Sequence, residues 1–147
     1  MPNLQKAAPL EPQKAAIPEL QNKAAIPKPT AAANITGAVA RSLIGPIRAQ
    51  YHSKPAVIEA IISESFKHSG LPKDEHTSLY IWAIAGAADD HLLSRYTAVH
   101  LQGFIHALYL AACDGLGPVA ADKLLSTSIA RAQALPAAVE FSPNLLL

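Results

Sequence analysis

Leu79-Tyr80-Ile81-Trp82-Ala83-Ile84-Ala85-Gly86-Ala87-Ala88, LYIWAIAGAA, is the longest apolar run of the chain, and its reading decides the fold. It is about half the ~20 residues that a membrane-spanning helix needs, so it reads as a buried element. Periodicity alone fits a buried helix or a buried strand equally well. The alanines and the helical patterns on both sides favour helix, and with that the fold class is all-α.

Toward the N-terminus the run is preceded by the polar link Lys73-Asp74-Glu75 and, before it, by the best-marked element. Pro55 suits a first helical turn, and Val57, Ile58, Ile61, Ile62 and Phe66 form one apolar arc opposite Glu59, Ser63, Glu64 and Lys67. Gly70 then offers a left-handed end, Leu71 a fold-back onto Phe66, and Pro72 a stop, so a helix is predicted over about residues 55–69. Further upstream, Asn34 is a candidate cap for a helix carrying Ile35, Val39 and Leu43, which Gly45-Pro46 interrupts or kinks.

Toward the C-terminus a break is expected between Gly86 and Ser94, with Asp89 or Ser94 as the cap, although one long helix through Asp114 also fits. From Arg95 to Asp114, Leu101, Phe104, Leu108, Ala111 and Ala112 share one side while Val99 and Leu110 lie nearly opposite. This predicts a central helix. Gly115 ends it, Pro118 opens another, and Val119, Ala121, Leu124, Leu125, Ile129 and Ala132 supply a packing face until Leu135-Pro136. The expectation is a compact bundle of four or five helices over residues 34–136, the two apolar helices sandwiched by three amphipathic ones. Residues 137–147 read as an irregular tail whose apolar tip docks on its own domain or on a partner.

Residues 1–33 are different in kind. KAAPLEPQ, KAAIPELQN and KAAIPKPT begin at Lys6, Lys14 and Lys23. A proline in each unit forbids a continuous helix, so a disordered, partly extended leader is expected. It serves as a tether or docking peptide, or as a solubilising leader.

The 147 residues are half apolar and only 5% aromatic, enough for one lean core. The single cysteine, Cys113, excludes an internal disulfide, and the N-terminal residues lack a secretory pattern, so a cytoplasmic location is expected. Net charge is +1, yet no acidic residue occurs from Gln21 to Ile58, where Lys23, Lys28, Arg41, Arg48 and Lys54 fall. That basic stretch is mild by the standards of nucleic-acid binders.

Gly115-Leu116-Gly117-Pro118-Val119-Ala120-Ala121-Asp122-Lys123-Leu124-Leu125 carries the strongest functional pointer. With Leu110 before it, the stretch resembles the helix-hairpin-helix motif at Leu110, Gly115, Leu116, Gly117, Pro118, Ala121, Leu124 and Leu125. The resemblance implies that backbone amides at the start of the second helix hold a DNA phosphate without reading sequence. Gly115, Leu116 and Gly117, helped by Arg41, Arg48 and Lys54, are then the candidate phosphate contacts. Asp114 and Val119 depart from the pattern where proline and a basic or polar residue are common, and acids outnumber bases around the hairpin. The same letters also make a plain helix joint, with glycine as terminator and proline at the first helical position.

His52, His68, His76, His91, His100 and His106 include no pair four residues apart, and His106 and Cys113 are two helical turns, about 10 Å, apart. No metal site and no cofactor are expected. His100 and His106 read as core histidines satisfied by a partner. No nucleophile elbow, phosphate-binding loop, metalloprotease helix or apolar carboxylate pair is present, so no catalytic residue is assigned. The leading expectation is a non-catalytic accessory or adaptor protein acting through a protein partner or a second copy. The second is a nonspecific DNA-binding accessory factor, and a deep polar pocket around His100 and His106 would instead mark an enzyme.

Overall fold

A computed structural model of the chain describes residues 28–85 and 89–147. The protein is all-α: helices α1 (Ala31–Gln50), α2 (Pro55–Phe66), α3 (Lys73–Ile84), α4 (Ala98–Leu116) and α5 (Pro118–Gln133), with 3₁₀ turns at Asp90–Arg95, Pro136–Val139 and Pro143–Leu146. The expectations for residues 1–27 and for Gly86-Ala87-Ala88 lie outside the described residues.

Two helices share the centre. α4 packs on α1, α2, α5 and the last 3₁₀ turn, through Leu101, Phe104, Ile105, Leu108, Ala111 and Ala112. α1 packs on α4, α5 and the Asp90–Arg95 turn and buries Ile35, Val39, Leu43, Ile44 and Ile47. Each such side chain withdrawn from water stabilises the fold by roughly 1.5–3 kcal/mol.

This differs from the expected sandwich, in which α1 was an outer helix and α3 an inner one. In α3 only Leu79, Trp82 and Ala83 are buried, and Ile81 remains 57% exposed. Half of α3 is the polar stretch Lys73–Ser78, so it can offer the core only one short apolar side. It is attached by edge-on aromatic contacts, Phe66 to His76 and Tyr80, and Trp82 to Phe104, with ring centroids 5.5–5.7 Å apart.

Helix ends depart from the sequence reading in instructive ways. α1 begins three residues before Asn34, because Thr30 supplies the cap: its Oγ1 accepts from the Ala33 N–H at 3.1 Å. Asn34 is inside the helix. Pro46 does not interrupt α1, which runs on to Gln50. The backbone hydrogen bond lost there is compensated by burial of Leu43, Ile44 and Ile47 on either side. α2 stops at Phe66 rather than near residue 69, its exit tightened by bonds from the Lys67, His68 and Ser69 N–H groups to carbonyls three residues back. Asp89 caps the Asp90–Arg95 turn, accepting from the His91 N–H at 3.0 Å, and Thr97 caps α4. One long helix through Asp114 is therefore not formed.

The 137–147 segment is no loose tail. Ser142 caps the final 3₁₀ turn, Pro143 is buried, and Leu146 is 2% exposed in the core. Of the two docking options, its own domain is the one used. No helix among the described residues is long and apolar enough to cross a membrane.

Candidate functional site

The positions that sequence reasoning singled out are not brought together. Gly115 does not end α4; it lies buried inside the helix, and its carbonyl accepts from the Tyr51 hydroxyl at 2.7 Å. Leu116 is the last helical residue, half-buried. Gly117 alone is the joint, with φ +94° and ψ 151°, serving as the end of α4 and the start of α5. Only glycine adopts that conformation without strain, which explains its presence with no appeal to a ligand. Pro118 has no N–H, so Val119 and Ala120 carry the amides left over at this helix start, next to Asp122.

Arg41 and Arg48, seven residues apart, do share a face of α1, Arg41 exposed and Arg48 half-buried, but both are engaged within the chain. Arg41 reaches both carboxylate oxygens of Asp90, at 2.5 and 3.1 Å, and the pairing holds its guanidinium pKa above the ordinary value. Arg48 donates to the carbonyls of Ala83 and Ile84, at 2.5 and 2.9 Å, and so caps the C-terminus of α3. Lys54 stands exposed at the start of α2. The two arginines are braces that clamp the residues on either side of the α3 end.

A hollow with a volume of about 580 Å³, in the range of ligand and peptide pockets, lies elsewhere, along the outer face of α4. Thr97 fixes where α4 begins by accepting from the His100 N–H at 3.3 Å, and the register that sends Leu101, Phe104 and Ile105 inward leaves Val99 73% exposed. Gly70, with φ +72°, turns the chain after α2, and the Leu71 N–H bonds to Ser69 Oγ at 3.2 Å, which aims Leu71 back toward α4. Leu125 of α5 and Leu146–Leu147 form the opposite wall. Gln102 Nε2 donates to the Leu147 carbonyl and ties that wall to α4.

Five polar side chains interrupt this aliphatic lining: Ser69, His100, Gln102, His106 and Tyr109. His106 is exposed and His100 half-exposed, so neither is a core histidine; in the helical register His106 lies opposite Phe104 and Leu108, while His100 stands in the first turn of α4, one turn before Phe104. Tyr109 donates its hydroxyl to Asp122 Oδ1 across the α4–α5 seam. That bond, with a further one to Cys113, pushes the phenol pKa well above the usual tyrosine range, so it stays neutral. Among the described residues no Asp, Glu, Lys or Arg side chain lines the hollow. Among the described residues no three His, Cys, Asp or Glu side chains converge as a metal would require. The hollow is centred on the two histidines, as an enzyme reading asks, but its walls are chiefly aliphatic. What it offers chemically is apolar area with a few neutral hydrogen-bonding groups.

Sequence reasoning placed Val99 nearly opposite Leu101 on a helix expected to be buried around most of its circumference, and noted the apolar C-terminal tip; Val99 is instead exposed, and nothing in either segment says that they meet. That requires the turn at Gly70 and the packing of Leu146. Comparison of the chain with protein-family models, with curated proteins and with solved structures gives no match.

Proposed function

We propose that the protein is a non-catalytic accessory or adaptor protein, which holds an apolar segment of another protein along the outer face of α4. The observation that supports this is the hollow of about 580 Å³, lined among the described residues by no Asp, Glu, Lys or Arg side chain and flanked by Val99 and Leu147 at 73% and 59% exposure. Apolar side chains left in water on this scale mark a contact surface, and a helix or extended peptide with apolar anchors is the occupant that gains from covering them. His100, Gln102 and His106 then supply the few hydrogen bonds that fix its register. A DNA backbone asks for cations instead, and the arginines nominated for it are engaged with Asp90 and with the α3 carbonyls.

The test is affinity capture with the full chain, its Val99→Asp variant, and Val139→Asp as a control on another exposed valine outside the hollow. Burying an unpaired carboxylate against an apolar partner is costly. A protein retained by wild type and by Val139→Asp but lost with Val99→Asp is the expected result. Equal capture by all three, or none, counts against the reading, as does salt-sensitive retention of DNA that Arg41→Ala weakens.

A further inference from the structure

A second hollow, of about 240 Å³, lies between α3 and the Asp90–Arg95 turn, where Ile81, Trp82, Leu92 and Tyr96 meet and Arg95 stands exposed at the rim. Ile81 and Leu92 are 57% and 43% exposed, so this hollow too shows apolar surface to water. Its residues surround Ser94, and Ser94 Oγ accepts from the Thr30 N–H at 3.0 Å. The described chain therefore starts against the very turn that forms the hollow.

We propose that this hollow is a docking site for the chain's own leader, and that Ile17-Pro18-Glu19-Leu20 from the second repeat occupies it. Three observations converge on that segment. The hollow has Trp82, 5% exposed, at its base and half-buried Tyr96 in its wall, an aromatic-lined site of the kind that takes proline-flanked extended peptides. Arg95 is the one charged residue among the described residues lining it, and the second repeat places Glu19 between two apolar anchors, whereas the third repeat has Lys28 after its Ile26-Pro27. The distance is also right. Ten residues separate Leu20 from Thr30 and span about 18 Å as a flexible chain, while a six-residue 3₁₀ turn is only about 12 Å long. A tether of that length gives an effective concentration in the millimolar range, so even a weak four-residue contact is held. The remaining repeats, with Leu10 and Ile26, stay outside the hollow.

The test uses the full-length protein in a Cys113→Ala background. Leu20→Cys is paired with Leu92→Cys, and disulfide formation under mild oxidation is compared with that of Gln5→Cys or Ile26→Cys paired with the same Leu92→Cys. The account predicts intramolecular cross-linking from position 20 at a rate independent of protein concentration and roughly fivefold above the other two. Arg95→Glu lowers that rate about two- to fivefold, and adding Glu19→Arg restores it. As a second readout, Ile17→Asp shifts the indole N–H resonance of Trp82, the single tryptophan, while the helical circular dichroism is retained. Equal rates from positions 5, 20 and 26, cross-links that form only between molecules, a faster rate from position 26, or an unmoved Trp82 resonance overturn the proposal.

Discussion

Replacing Gly37 by alanine separates packing from helix propensity at the brace between α1 and the Asp90–Arg95 turn. A Cβ on Gly37 would stand 2.2 Å from Asp90 Oδ1 and 2.6 Å from its Cγ, so the carboxylate must leave. Leaving breaks the two-pronged Arg41 pair, whose side chains are 41% and 18% exposed and which is therefore worth at most about 1 kcal/mol. Relieving the overlap adds about 1–3 kcal/mol, while alanine in a helix interior returns about 1 kcal/mol relative to glycine. The net expectation is a loss of about 1 kcal/mol, or roughly 4 °C in Tm for a domain of this size. In an Asp90→Gly background the obstacle is gone and the sign reverses: Gly37→Ala stabilises by about 1 kcal/mol. Urea unfolding followed by circular dichroism at fixed pH gives all four corners of the cycle, with an expected coupling of about 2 kcal/mol. If Gly37→Ala has the same effect in both backgrounds, Asp90 is not seated on the α1 backbone and the brace is misplaced.

Three further outcomes follow from the same contacts. Arg48→Met removes both donors from the Ala83 and Ile84 carbonyls and costs about 1.5–3 kcal/mol, with faster hydrogen exchange confined at first to the end of α3; Arg48→Lys recovers less than half of the loss. Leu146→Ala destabilises by about 2 kcal/mol in the same unfolding assay, whereas Leu145→Ala, at a 56% exposed position, stays within about 0.5 kcal/mol. In ultraviolet titration Tyr109 ionises above the ordinary phenol range, and Asp122→Asn brings it forward. Because its folded pKa is raised, the Tyr109–Asp122 bond contributes below the ordinary phenol pKa of about 10 and is lost as pH rises through the raised value.

What could be read from the chain without coordinates was everything whose cause is local. Pro55 and Pro118 open helices, Gly70 turns the chain left-handed, and the spacing of Ile58, Ile61, Ile62 and Phe66 buries one face, each for reasons contained within a few residues. Errors arise where a distant partner decides. Pro46 is tolerated because α1 buries Leu43, Ile44 and Ile47 against the rest of the bundle, a gain invisible to a rule about proline. Gly115 reads as a helix terminator, yet packing against Ile47, Tyr51 and Ile61 keeps it helical and hands the positive-φ joint to Gly117. Arg41 and Arg48 read as solvated or phosphate-facing because their partners, Asp90 and two backbone carbonyls, are 35 to 49 residues away. The α4 hollow has the same origin. Its walls come from residues 69–71, 99–109, 125 and 146–147, and no local pattern announces their convergence.

The most direct measurement of the central claim is hydrogen exchange on the full chain, free and with the protein recovered by capture. The account predicts slowed exchange in the bound state at residues 69–71, at the start of α4 and at residues 143–147, with the Gly117 joint and the Arg41 face of α1 unchanged. Protection centred on Val119, Ala120 and Lys54, with residues 69–71 and 143–147 unaffected, would contradict it.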